Sequence, residues 1–186
     1  MKTEKQNLNQ QIKQVNKRMS IEEKNYQLLE SIAKPVLTGE AYYMKFTAKH
    51  FMDFNVDFIY DNRIAMSHYY EQNGDMMADP DVEIVVDNVN RKLYPRTFQQ
   101  DNMFVRYSIE RHPEMKDSLN HFVNEWLTNV KIKGYTLAKV SGNGFELNEY
   151  ENKEELVKFC EKYDININAG QNSQKDDKVR DEEPYL

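Results

Sequence analysis

The chain has one cysteine in 186 residues, Cys160, so it can form no internal disulfide and offers no cysteine cluster for a structural zinc site. That usage fits a reducing cytoplasm. No stretch approaches the roughly 18 consecutive apolar residues of a membrane span, and the opening MKTEKQNLNQQIKQ lacks the apolar core of a secretion signal. Gly-x-Ser-x-Gly, a glycine-rich phosphate loop and paired-histidine metal motifs are all missing. The four histidines, His50, His68, His112 and His121, stand at no ligand spacing, so catalytic zinc is not expected and no cofactor is implied.

What is present is aromatic. Twelve Tyr, nine Phe and one Trp can build a compact core from few, large side chains, in a chain whose length suits one domain with appendages. The net charge of −6 conceals an asymmetry: residues 1–20 carry Lys2, Lys5, Lys13, Lys17 and Arg18 against Glu4, leaving −10 for the remainder. Residues 40–90 hold ten acids and three bases. A basic arm therefore precedes an acidic body.

Periodicity assigns the elements. Leu8, Ile12, Val15 and Met19 form one narrow helical stripe, and Ser20 to Glu23 reads as a capping box opening a second helix through Leu28, Leu29 and Ile32, ended by Pro35 and Gly39. From Tyr42 the period is two. Met44 and Phe46 alternate with Tyr43 and Lys45; Phe54, Val56 and Phe58 with Asp53, Asn55 and Asp57; Ile64, Met66 and His68 follow; then Val82, Ile84 and Val86 alternate with Glu83 and Asp87. Strands near 91–98 and 103–109 complete a meander, with Pro95 marking an edge or bulge. Pro113 opens a helix whose broad apolar face, Leu119 to Val130, is expected to cover the sheet.

The expected fold is α+β: an antiparallel meander of five or six strands, covered by that amphipathic helix, with N-terminal helices. The expected organisation is helices over 1–39, sheet and covering helix over 40–133, a small hairpin and short helix over 134–168, and a disordered acidic tail over 169–186.

Three constellations carry chemistry. The turn-rich segment 68–81, read as a loop, presents Tyr69, Glu71, Gln72, Asn73, Asp75, Asp79 and Asp81; Asp75, Asp79 and Asp81 supply hard oxygens for Ca²⁺ or Mg²⁺, although not at calcium-loop spacing. The alternative is that Asn-Gly and Asp-Pro are turn chemistry with solvated acids. Second, Asp53, Asp57, Glu83 and Asp87 share the solvent phase of their strands, a carboxylate array for a macromolecular partner or simply a soluble surface. Third, Lys5, Lys13, Lys17 and Arg18 offer a grip on nucleic-acid phosphate. His68 falls on the apolar phase, where a hydrogen-bonded core histidine is expected, and Cys160 should pack rather than attack.

The string His68-Tyr69-Tyr70-Glu71-Gln72-Asn73-Gly74-Asp75, followed by Ala78-Asp79-Pro80-Asp81 and by Tyr94-Pro95-Arg96-Thr97-Phe98, resembles a family of uncharacterised domains carried by bacterial conjugative elements, plasmids and phages. The resemblance covers about residues 28–110. It implies a mobile-element setting in a bacterial cytoplasm and no established activity. The expectation drawn from it is a non-enzymatic accessory protein that binds a host protein or nucleoprotein, a CRISPR or restriction nuclease being the type of partner, without membrane association. A small divalent-metal enzyme built on Asp75, Asp79 and Asp81, and a nucleic-acid-binding protein using the basic arm, are the alternatives.

Overall fold

The computed structural model describes residues 19–165. Leu8, Ile12 and Val15 of the first helical stripe, the basic residues Lys5, Lys13, Lys17 and Arg18, and the tail 169–186 lie outside the described residues. Helix α1 (Ile21–Leu37) starts on the expected capping box: the Ser20 hydroxyl accepts from the Glu23 amide at 3.2 Å, and the Ser20 amide donates to the Glu23 carboxylate at 2.8 Å. Pro35 does not end the helix. The backbone leaves helical geometry at Ala33, two residues earlier, and one more turn follows, capped at Thr38, with Gly39 at φ +75.

Seven strands then run as a meander: β1 (Ala41–Thr47), β2 (Phe54–Tyr60), β3 (Arg63–Gln72), β4 (Asp75–Asp87), β5 (Lys92–Pro95), β6 (Thr97–Gln100) and β7 (Val105–Ser108), all pairs antiparallel. β5 and β6 both pair with β4 and are one strand broken at a bulge, because the five residues Pro95 to Gln99 oppose the four from Ile84 to Asp81. Proline's missing amide is the reason the ladder slips there.

Helix α2 (Lys116–Ile132) carries the chain back across the sheet to β8 (Thr136–Gly142), which pairs with β1, and β9 (Phe145–Asn148) closes that edge. Seventeen residues of helix span about 25 Å, close to the width of five or six strands at about 4.8 Å each. One crossover therefore covers the sheet. The strand order is β7-β6-β4-β3-β2-β1-β8-β9, with β5 beside β4. The α+β meander is as expected, but the sheet has nine strands rather than five or six. The Pro95 bulge splits one strand, and the 136–148 hairpin joins the same sheet through β1. Gly142 is needed at that junction, since a Cβ there would sit 2.4 Å from the Glu40 carbonyl oxygen.

One face of the sheet is closed. Met44, Phe46, Phe54, Val56, Ile64, Met66, Val82 and Ile84 from the strands bury against Leu29, Ile32 and Val36 of α1 and Leu119, Val123, Trp126 and Leu127 of α2. Helix α3 (Lys153–Tyr163) adds Leu156 and Cys160 to the same cluster. The two long helices are stitched by polar groups: the Asn25 amide donates to the Asn120 carbonyl at 3.0 Å, and Asn124 donates to Asn25 at 2.9 Å. Among the described residues no helix lies over the other face, and none is long and apolar enough to cross a membrane.

Candidate functional site

Residues 68–81 are not a loop. Asn73 and Gly74, at φ +56 and +88, make a two-residue turn of the type that right-twisted strands favour, so β3 and β4 continue to the tip as a long hairpin. The alternation is broken once, where Asp79 and Pro80 oppose the single residue His68 and the ladder passes from Ser67 opposite Asp81 to Tyr69 opposite Ala78. That bulge separates the three proposed metal ligands. Asp75 pairs with Gln72 beside the turn, Asp79 is taken up by the Gln100 and Asn102 amides at 2.7 and 3.0 Å, and Asp81 lies on the open face. No group of three or more His, Cys, Asp or Glu positioned to hold a metal ion occurs among the described residues.

Glu71, Gln72 and Asn73 occupy the exposed hairpin tip. Beside the bulge, Asp101 accepts from the Ala78 amide at 2.7 Å and from Gln99 at 2.8 Å, which holds its carboxyl below the ordinary range. These bonds brace a turn that displays Met103 and Phe104, the latter 96% exposed at φ +53. Sequence reading missed this apolar tip because the segment reads as part of a strand.

The open face is an ordered grid. One row across the ladders reads Lys139, Lys45, Asn55, Ser67, Asp81, Gln99, Arg106; the next reads Ser141, Tyr43, Asp57, Ala65, Glu83. The four-carboxylate array is therefore real as a phase, but its members differ in partners. Asp53 is held by Lys45 at 2.7 Å, Glu83 lies 3.6 Å from Arg63, and Asp87 caps the following turn by accepting from the Asn90 amide and side chain, both at 2.8 Å. Of the four, Asp57 is left over, and Asp81 on the same face joins it. Among the described residues neither forms an ion pair with Lys or Arg.

Burial first, and the Asp81 charge second, push the Asp57 carboxyl up to about 6. The Tyr69 hydroxyl donates to Asp81, and Tyr43 donates to the Asn55 side chain at 2.8 Å. Both phenols are pushed up to about 12, by burial before anything else, and the Asp57 charge adds to the rise of both. Ser67, with no exposed surface, lies beneath. Its hydroxyl has no partner in hydrogen-bonding geometry, although it lies near enough to Tyr69 to favour the ionised phenol. Tyr43, Asn55 and Ser67 were absent from the expected site. Their phase was legible, but their adjacency to Asp57 and Asp81 needed the strand register.

The closed face differs. His68 turns inward as expected: the Trp126 indole N–H donates to His68 Nε2 at 2.8 Å, so Nδ1 carries the proton and donates to the Asp53 carbonyl at 2.8 Å. Burial lowers its proton affinity, and it stays neutral. A cleft of about 500 Å³ beside it is lined by Phe51, Phe122, Trp126 and Tyr135. The Cys160 thiol is pushed up to about 12 by burial, an inert packing group.

With this geometry in place, the family comparison becomes informative. Residues 6–136 match a family described as a domain of unknown function, DUF6908. The chain belongs to that family. The match runs through α1, the whole β1–β7 meander and α2, and so includes every residue of the open-face cluster. No curated protein and no solved structure matched.

Proposed function

We propose that this protein is a non-catalytic binding module that docks a macromolecular partner on the open polar face of its sheet. The observation that carries the reading is the Asp57–Asp81 pair, two carboxylates placed diagonally across β3 on an uncovered face, whose neighbouring bases, Lys45 and Arg63, are engaged elsewhere. Keeping such a pair costs stability, and a positively charged partner group would repay it on docking. A mobile-element accessory protein that binds a host protein, such as a defence nuclease of the CRISPR or restriction type, suits a surface of this kind. The metal-enzyme alternative loses support because Asp75, Asp79 and Asp81 are dispersed along the hairpin.

The test is affinity purification from bacterial host lysate at low salt with the wild-type chain and an Asp57→Lys/Asp81→Lys variant. The expected outcome is a partner whose recovery falls more than tenfold in the variant and declines with added salt. Equal recovery by both chains removes the open face from function.

A further inference from the structure

We propose that Asp57, Asp81, Tyr43 and Tyr69 form a socket for a single guanidinium group, the head of an arginine side chain. The inference rests on the open-face docking reading and adds the chemistry of what is docked.

Three observations select that chemistry. The first is charge without a counter-ion. Facing Asp57 are Tyr43 and Lys45 from β1, Asp53 and Asn55 from its own strand, Arg63, Ser67 and Tyr69 from β3, and Asp81 and Glu83 from β4. Lys45 is held by Asp53 and Arg63 by Glu83, so both bases are engaged and the site is two carboxylates short of cation. The second is a pair of phenols on the same face, Tyr43 directly opposite Asp57 and Tyr69 donating its hydroxyl to Asp81. Aromatic faces beside carboxylates receive a planar, weakly hydrated cation better than a compact, strongly hydrated one. A divalent metal would want more oxygen ligands than two carboxylates supply, one of which already accepts from Tyr69. The third is independent of charge. The Ser67 hydroxyl, fully buried and without a hydrogen-bond partner, lies on this face directly opposite Asp81. A guanidinium presents five donors in a fixed fork, enough to engage both carboxylates and still complete a local network that this hydroxyl leaves open.

Binding is coupled to protons. A cation between the carboxylates favours the ionised Asp57, so the socket fills as pH rises through about 6, and filling below that pH releases a proton.

The experiment titrates the whole chain with N-acetyl-arginine amide, following the Asp57 carboxyl carbon and the Tyr43 and Tyr69 ring signals by NMR at pH 7.5. N-acetyl-citrulline amide, the uncharged isostere, and MgCl₂ serve as the comparison titrations. The expected result is a saturable shift with the arginine compound alone, with the Asp57 titration midpoint moving downward when it is bound. Asp57→Asn and Asp81→Asn should each weaken it at least tenfold and Ser67→Ala severalfold, with unchanged near-ultraviolet circular dichroism confirming the fold. An equal response to citrulline, saturation by Mg²⁺, or no saturable shift overturns the socket. If the socket fails while Asp57→Lys/Asp81→Lys still abolishes partner recovery, docking on this face survives without it. If arginine amide binds but no partner depends on the face, the docking reading is the one that falls.

Discussion

Ser67 and His68 are consecutive residues on β3, and the pleat sends them to opposite faces of one sheet. On the closed side His68 is satisfied at both ring nitrogens by Trp126 and by the Asp53 carbonyl, and it is neutral because burial keeps it so. On the open side the Ser67 hydroxyl has no partner, and the carboxylates around it are short of cation. The two faces share backbone, strands and register. What separates the two residues is whether the polar group finds its complement inside the chain. The inward imidazole is complete in itself, and the outward hydroxyl is complete only with something added.

That comparison is easiest to break on the closed side. Trp126→Ala removes the ring that contacts Phe54, His68 and Phe122 and orphans His68 Nε2, so it should lower the unfolding free energy by about 3–5 kcal/mol in a denaturant melt. A loss below about 1 kcal/mol would mean that the helix does not seal this face.

His68→Ala comes next, with an expected loss of about 2–4 kcal/mol from an orphaned indole N–H and a small cavity. It should also alter the acid limb. His68 has a lowered folded proton affinity, so its unfolded form binds protons first; the wild type therefore loses stability as pH falls below about 6.5, and the variant should lack that component. Melts at pH 7.5 and 5 check the sign.

Asp57→Asn tests the open side and has the opposite sign. The folded carboxyl titrates at about 6 and the unfolded one near its ordinary value, so the folded state holds the extra proton between them, and stability is lost as pH rises through that window. An uncharged amide should stabilise the protein at pH 7.5 by about 1–2 kcal/mol, after discounting for partial solvent screening, and change little at pH 4. Gaining stability while losing partner binding is the signature of a residue kept for function.

The alternation of Phe54, Val56 and Phe58 with Asn55 and Asp57 made the sheet legible, as did the capping box at Ser20. The inward histidine was legible for the same reason, since phase alone places it. Partnership was not legible. Asp53, Asp57, Glu83 and Asp87 are equivalent by phase, and only register and long-range pairing distinguish the three that find partners from the one that does not. The 68–81 segment misled because Asn-Gly and Asp-Pro signal both loops and the turn and bulge of a continuous hairpin. Composition cannot separate those cases, whereas two adjacent positive φ angles do.

Glu83→Gln is the smallest expected effect and the sharpest control on this distinction. Glu83 stands on the same face and in the same row as Asp57, opposite Ala65 where Asp57 is opposite the same residue from the other side. It differs in having a guanidinium 3.6 Å away. An exposed pair at that distance contributes about 0–1 kcal/mol, so the amide should cost less than about 0.5 kcal/mol. If Glu83→Gln instead stabilised the protein as Asp57→Asn is expected to, the penalty would belong to the acidic face as a whole. A near-neutral result places it on the one pair without a cation, where a partner's charge would be felt most.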